Sequence, residues 1–348
     1  MRRRVTEGEA GRLCAALDLG TNNCRLLIAE ALDTGFRVVD SFSRITRLGE
    51  GVRASGRLSR VAMDRTIAAL AICSSRMDRH AVTQVRCVAT AACRAAENVA
   101  EFVERARVEA GVDLEVIPAE EEARLALAGC APLLEGERPL TLVFDIGGGS
   151  TELTLVEVRD TSDGPRPGAV LAVESLPLGV VTLSEAVGGG HLSPRLHADI
   201  VEHVRERLRP FDVAYGIADY AVREQLSLLG TSGTVTTVGA VALGLGRYDR
   251  NRVDGLGLSV REIKDVGARL LDMSPSDRVA HPCIGRERAD LVLAGCAILQ
   301  AILDTWAVPA LRVADRGIRE GLLADMMGTR AEGECTPAEA GVDAVPTV

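Results

Sequence analysis

The sequence predicts an α/β protein of two similar halves, each presenting a phosphate-binding hairpin, and two stretches carry that expectation. Residues 142–157 read Leu-Val-Phe-Asp-Ile-Gly-Gly-Gly-Ser-Thr-Glu-Leu-Thr-Leu-Val-Glu: an apolar strand ending at Asp145, a tight glycine turn, and a second apolar strand. Residues 14–30 repeat the plan, with Asp18 near the end of an apolar strand, Gly20-Thr-Asn-Asn23 as the turn and another apolar strand after it. One such hairpin is unremarkable, whereas two in one chain imply a duplicated architecture with one loop per half. A third segment, Gly230-Thr-Ser-Gly-Thr234, follows the apolar run 226–229 and opens a helical stretch, and a helix N-terminus also attracts anions.

The chemistry of these tips is legible from residue type. Consecutive residues without Cβ let backbone N–H groups line one concavity and let an anion approach closely, so Gly147, Gly148, Gly149 and Ser150 are candidate phosphate ligands. Asp145 and Glu152 flank the same turn. Carboxylates there would repel phosphate unless a divalent cation sits between them or one of them positions a water, so the combination points to metal-assisted phosphate chemistry.

Composition bounds the alternatives. At 348 residues the chain can hold two domains with real cores, and 47% hydrophobic residues mark it as folded. Aromatic residues make up 3%, too few for the base-stacking platforms of single-strand binders. A net charge of −9 argues against general attraction to nucleic acid or anionic membrane. No apolar run reaches a membrane span, and Met1-Arg-Arg-Arg4 leads into polar residues rather than a signal core, so a cytoplasmic protein is expected. Nine cysteines without a Cys-x-x-Cys pair are expected to be reduced core thiols. The five histidines do not cluster and receive no role.

Along the chain, residues 1–11 are expected to be a flexible arm, 12–134 a first domain, 135–328 a second, and 329–348 a disordered tail. Residues 36–43 supply a third strand, and Ser59 is a candidate N-cap for a helix whose apolar positions Met63, Ile67, Leu70 and Met77 recur at helical spacing. Residues 84–89 form a buried strand, placing Arg94 just past a strand end, where open α/β sheets bind ligands. A helix over 98–110 and a strand over 114–117 precede Glu120-Glu-Glu-Ala-Arg124. Three acids at a helix start favour the macrodipole, and any one of them could also face the cleft as a general base. Further on, Pro210 marks a break after a helix over 194–208, 289–306 is an apolar helix, and a last helix runs to about Met327.

These residues resemble the exopolyphosphatase/guanosine pentaphosphate phosphohydrolase (Ppx/GppA) phosphatase family, a branch of the actin, Hsp70 and sugar-kinase superfold. The resemblance rests on Ala16-Leu-Asp-Leu-Gly-Thr-Asn22 with Arg25, on Phe144-Asp-Ile-Gly-Gly-Gly-Ser-Thr-Glu152, and on Ala89-Thr-Ala-Ala-Cys-Arg94, Glu121-Glu-Ala-Arg124 and Asp315-Arg-Gly-Ile-Arg-Glu-Gly321. It implies two ribonuclease-H-like domains flanking a central cleft and hydrolysis of a terminal phosphate from a phosphoanhydride. By position, Glu121 is the implied base, with Glu120 and Glu122 left open, and Glu152 assists. Asp18 and Asp145 would anchor Mg²⁺ or another divalent cation. Thr21, Asn22, Asn23, Arg25, Arg94 and the loop 147–150 would hold substrate, with Arg44 a further contact. For Arg47 and Arg288 surface exposure and substrate contact are equally weighted. Asn23 stands where the family often has Ser, and the chain ends before the C-terminal helical domain of longer members.

The implied substrate is inorganic polyphosphate, with the alarmone pppGpp as the alternative, and the family's habit suggests a homodimer. A nucleotide-dependent kinase, chaperone or filament protein on the same superfold, and a phosphate sensor without turnover, are the competing classes.

Overall fold

The computed structural model describes residues 11–33, 35–189 and 192–328. Except for Gly11, the expected N-terminal arm lies outside them, as does the expected tail over 329–348.

Two mixed sheets form the two halves. In the first, β1 (Leu13–Leu19), β2 (Asn23–Ala31), β3 (Phe36–Ile45), β4 (Gln84–Ala89) and β5 (Glu115–Val116) lie in the order β3-β2-β1-β4-β5. In the second, β6 (Leu140–Ile146), β7 (Thr151–Thr161), β8 (Gly164–Leu176), β9 (Leu226–Thr231), β10 (Gly257–Ser259) and β11 (Ala310–Val313) lie in the order β10-β11-β9-β6-β7-β8. Without the short edge strand β10 the two orders are the same. Each half is an antiparallel meander of three strands whose first member also pairs in parallel with a later strand. This is the duplication expected from the two hairpins, and it matches the ribonuclease-H-like plan that the resemblance implies.

The meanders follow from alternation and turn chemistry. β1 and β6 run apolar and almost wholly buried, as central strands do, and each meets its partner through a glycine-containing turn. Most of residues 160–167 belongs to paired strand rather than to a loop. β7 and β8 stay paired out to Thr161 and Gly164, where Gly164 at φ 100° turns the chain in two residues.

Helices cover both sheets. Ser59 caps helix Arg60–Arg79 by accepting from the Ala62 amide, and its Met63, Ile67, Leu70 and Met77 are buried on the first sheet. In the second half, helix Val292–Thr305 is buried almost all round beneath the sheet. Helix Pro194–Tyr215 continues through Pro210 instead of breaking there. The lost backbone bond is offset by burial of Leu208 and Phe211, with Phe211 edge-on to Trp306, whose indole N–H donates to Asp212 at 2.8 Å.

The last helix, Ile318–Met326, departs from the expected division at residue 135. It packs on the first sheet, where Ile318, Leu322 and Leu323 join Cys14, Ala16, Leu27 and Val88 in one core. It crosses helix Ala119–Cys130 at backbone distance: a Cβ on Gly321 would lie 2.1 Å from the Leu125 carbonyl oxygen, and one on Gly129 would lie 2.0 Å from that of Gly317. The segment following the second sheet thus closes the first half. Eight cysteines among the described residues are free and buried, as expected, and none of the described helices is long and apolar enough to cross a membrane.

The helix crossing makes Gly321→Ala a test of this closure. Overpacking against backbone cannot be relieved by a side-chain rotation, so the variant should lose about 1–3 kcal/mol of unfolding free energy, read as a lower urea midpoint with an unchanged slope.

Candidate active site

The β1–β2 and β6–β7 tips face each other across the two halves, and steric need explains their glycines. None of Gly147, Gly148 and Gly149 has positive φ, so turn geometry does not demand glycine there. Contact does: a Cβ on Gly148 would sit 3.0 Å from Thr21 Cβ, and one on Gly149 would sit 2.6 Å from Thr21 Oγ1. Gly179 covers the other side, where a Cβ would lie 2.4 Å from the Gly148 carbonyl.

Both tips have their carbonyls tied down and their amides left over. The Thr46 and Arg47 amides donate to Asn22 O at 2.8 and 3.0 Å, and Gly49 N donates to Thr21 O. Val180 N donates to Gly147 O, and Val181 N to Gly148 O. Among the described residues, no acceptor faces the amides of Thr21, Asn22, Gly148, Gly149 or Ser150. Such amides form an anion cradle. Among the side chains, Thr21 Oγ1 is buried without a partner and can donate to an anion, while the unpartnered Asn22 Oδ1 and Asn23 Oδ1 beside it can only accept.

Four carboxylates stand around this cradle. Asp18, the last residue but one of β1, lies directly opposite Arg25 on β2, and Asp145 holds the matching place opposite Glu152 on the second hairpin. Burial pushes Asp145 up to about 7, with Glu152 and Asp18 adding repulsion and Arg25 opposing. Burial likewise raises Asp18, against the pull of Arg25 and Arg319. Glu152 is raised by burial although Ser150 and Ser175 donate to it at 2.5 and 3.1 Å. The Ser232 hydroxyl also pulls Asp145 down, from a backbone at φ 84°, a left-handed conformation that a serine rarely adopts and that places it at the start of helix Ser232–Ala242.

The fourth carboxylate corrects the reading of the glutamate run. Glu121 points away from the cleft: Arg124 donates to it at 2.7 and 2.9 Å and Arg86 at 3.1 Å, and Arg124 in turn holds Asp325 on the last helix. These arginines, Arg124 foremost, keep the Glu121 carboxyl below its usual range, which suits an anchor and not a base. Glu120 is exposed. Glu122, one residue on and 100° around the helix, is buried and turned inward, accepting from Arg94 at 2.6 Å. Burial and then Glu152 push it well above the normal carboxylate range, against Arg94. Three consecutive acids cannot reveal which one faces in; the phase of the helix against its neighbours decides it.

Three arginines line the cleft with little pairing. No side-chain hydrogen bond or ion pair joins Arg25 to another described residue, and it acts on Asp18 and Asp145 through charge. Arg288 is half-buried with one side-chain bond, to Thr237 Oγ1 at 3.3 Å; desolvation and then Arg25 lower its pKa. Arg319 has a side chain 14% exposed, and its one ion pair reaches Glu320 at 3.9 Å. Its pKa is likewise lowered, by burial first and then by Arg25 against Glu320. Arg319 was not singled out from sequence, although it lies in the quoted segment 315–321, and neither Ser175 nor Ser232 was assigned a role. Arg47 lies at φ 47° and reaches across to Asp290 at 2.9 Å, joining the two halves. Arg44 is exposed over the Phe42 ring, away from the site.

The residues fit a divalent cation through two features: the unpartnered, buried Oδ1 of Asp18, and a carboxylate load that burial alone makes unfavourable. Among the described residues no three His, Cys, Asp or Glu side chains stand close enough to hold an ion by themselves. A cation here would be shared by carboxylate, water and substrate phosphate, which is the usual manner of Mg²⁺.

This geometry can be set beside known proteins. A model of the Ppx/GppA phosphatase family matches residues 27–330. The chain belongs to that family. Among curated members, the guanosine-5'-triphosphate,3'-diphosphate pyrophosphatase of Aeromonas salmonicida (strain A449) is 30% identical over 91% of this chain, and the chain spans 60% of that relative's length. Among solved structures, the Aquifex aeolicus Ppx/GppA family member superposes with a TM-score of 0.72 at 28% identity, covering 91% of this chain and 98% of its own. A protein described as exopolyphosphatase-like superposes with a TM-score of 0.78 at 30% identity, covering 90% and 97%. Two mixed sheets around a cleft are thus the Ppx/GppA architecture, and the kinase, chaperone and filament readings fall away with this membership.

The buried carboxylates give a pH signature. Asp145 has a folded pKa of about 7 against an ordinary value of 3.8, so the stability it contributes in its neutral form is complete below about 3.8 and is lost as pH rises through about 7. In chelator, the melting temperature should fall between pH 5 and 8. Calorimetry on Asp145→Asn should show a visibly flatter profile; an identical slope would contradict the assignment.

Proposed function

We propose that this Ppx/GppA phosphatase removes the terminal phosphate of a phosphoanhydride chain by direct attack of water, with Glu122 as general base. The observation that carries this reading is the Glu122 carboxylate, buried, raised in pKa and held by Arg94 at 2.6 Å beside Glu152. A raised carboxylate is the stronger base, and it sits near a phosphate cradle built from both halves.

The chain's own groups then divide the work. The amides of Thr21, Asn22, Gly148, Gly149 and Ser150 receive the oxygens of the terminal phosphate, with the side chains of Thr21, Asn22 and Asn23 as further contacts. Glu122 takes the proton from water as its oxygen bonds to phosphorus in line with the departing bridge oxygen, which leaves with the remaining phosphates. Glu152, fixed by Ser150 and Ser175, orients that water. Arg94, Arg25, Arg288 and Arg319 offset the charge of the chain. Asp18 and Asp145 are the residues that would hold Mg²⁺, which when bound neutralises phosphate charge.

Of the two substrates, pppGpp leads, because the curated relatives carry that activity in their names; this reverses the order expected from the sequence. Inorganic polyphosphate is the second reading, supported by the exopolyphosphatase-like structure, whose length this chain matches.

Phosphate release from pppGpp and from polyphosphate, measured in parallel with Mg²⁺, tests the assignment. Glu122→Gln should lower kcat by roughly 10²–10⁴-fold, whereas Glu121→Gln should keep kcat within a few-fold and melt earlier. The opposite ranking would return the base to Glu121.

A further inference from the structure

Arg319 has a buried acid, Glu320, next to it in the chain, and the two do not bond. Glu320 stands at the start of helix Ile318–Met326, where its Oε2 accepts from the Gly317 amide at 3.0 Å and satisfies a donor that a helix start leaves open. That cap sets a carboxylate only 4% exposed beside the Arg319 guanidinium, on which the charges of Arg25 and Asp18 also act. Arginine and carboxylate left together close into charge-assisted bonds, and an arginine so held has fewer donors for a ligand. Here Arg319 Nη2 stands 3.9 Å from Glu320 Oε1, beyond hydrogen-bond reach.

Arg250 takes that oxygen instead. Its Nη2 donates to Glu320 Oε1 at 2.8 Å and to the Asp315 carbonyl at 2.6 Å. Asp315 is fixed in turn, because Tyr248 donates to its Oδ2 at 2.7 Å and its own amide donates to Asp254 at 3.0 Å. Both oxygens of Glu320 therefore have a nearer partner than Arg319. One comes from the start of its own helix, and the other from helix Arg250–Val253 of the second half.

We propose that Arg250 is a positioning residue for the phosphate chain: by occupying Glu320 it leaves the Arg319 guanidinium open to that chain. The inference rests on the reading of Arg319 as a phosphate contact given above. Without Arg250, Glu320 Oε1 would lose its partner, and a shift of about 1 Å would bring Arg319 onto it and away from phosphate. The helix start needs the acid, so a second arginine is required to keep the first one free.

Titration calorimetry with Mg²⁺ and the bis-methylene analogue of tripolyphosphate, which resists hydrolysis, tests this on the whole chain. Arg250→Gln and Arg319→Gln should each weaken binding about tenfold. The variant carrying both should bind no more weakly than Arg319→Gln alone, because the residue through which Arg250 acts is already gone. Arg250→Gln combined with Glu320→Gln should return to within about threefold of wild type, since the glutamine oxygen still caps Gly317 and no carboxylate draws Arg319 away. The same combination removes the acid left unpaired, and so provides the measurement should Arg250→Gln alone fail to fold. A roughly hundredfold loss in the Arg250→Gln/Arg319→Gln protein, as independent sites would give, would overturn the proposal. So would a loss of about tenfold that persists in the Arg250→Gln/Glu320→Gln protein, or a wild type that does not bind the analogue. Phosphate release from pppGpp and polyphosphate, measured separately, reports on the catalytic reading: the expected binding pattern without turnover would leave Arg250 in its role and remove the hydrolase.

Discussion

The contact on which this molecule depends is that between two hairpin tips, one from each half. Gly148 and Gly149 rest on Thr21 and Asn22 so closely that a methyl group on either would meet Thr21 within 3.0 Å, and Gly179 presses on them from behind. Held this way, each tip turns its carbonyls into protein and its amides into the gap. The same approach buries Asp18, Asp145, Glu122 and Glu152, and their rise in pKa measures how unfavourable that is without compensating charge. A site that stores negative charge and free amides together is poised for an anion accompanied by cations.

The rest of the fold holds that contact in place. The last helix returns to the first sheet and crosses helix Ala119–Cys130 through two glycines, and the ion network of Arg86, Glu121, Arg124 and Asp325 pins the same helix from outside. Glu121 thereby fixes the rotation that points Glu122 inward. Two of the four non-glycine residues with positive φ among the described residues lie where the halves meet, Ser232 beside Asp145 and Arg47, which bridges to Asp290.

How much of this could be read from the chain depended on the range of the interaction concerned. The hairpins were legible because continuous apolar runs and glycine turns are local, and their repetition announced the duplication. Ser59 was legible as a cap for the same reason. The rotation of Glu122 was not, because it is set by Arg86 and Asp325, 36 residues before and 203 after it. The unusual demand for glycine at 148 and 149 came from Thr21 and Asn22, more than a hundred residues away, and not from the turn itself. Pro210 broke no helix because Phe211 and Trp306 pack there. Arg319 lay inside the quoted segment 315–321, yet only the folded chain shows that its side chain, like those of Ser175 and Ser232, belongs to the site.

The measurement that bears most directly on this account is kcat/KM of Gly148→Ala beside its melting temperature. A methyl group at that position parts the tips without touching either core, so turnover should fall by about 10²-fold or more while the protein stays folded at the assay temperature. Turnover at the wild-type rate in a folded Gly148→Ala protein would mean that the reaction centre does not depend on contact between the two tips.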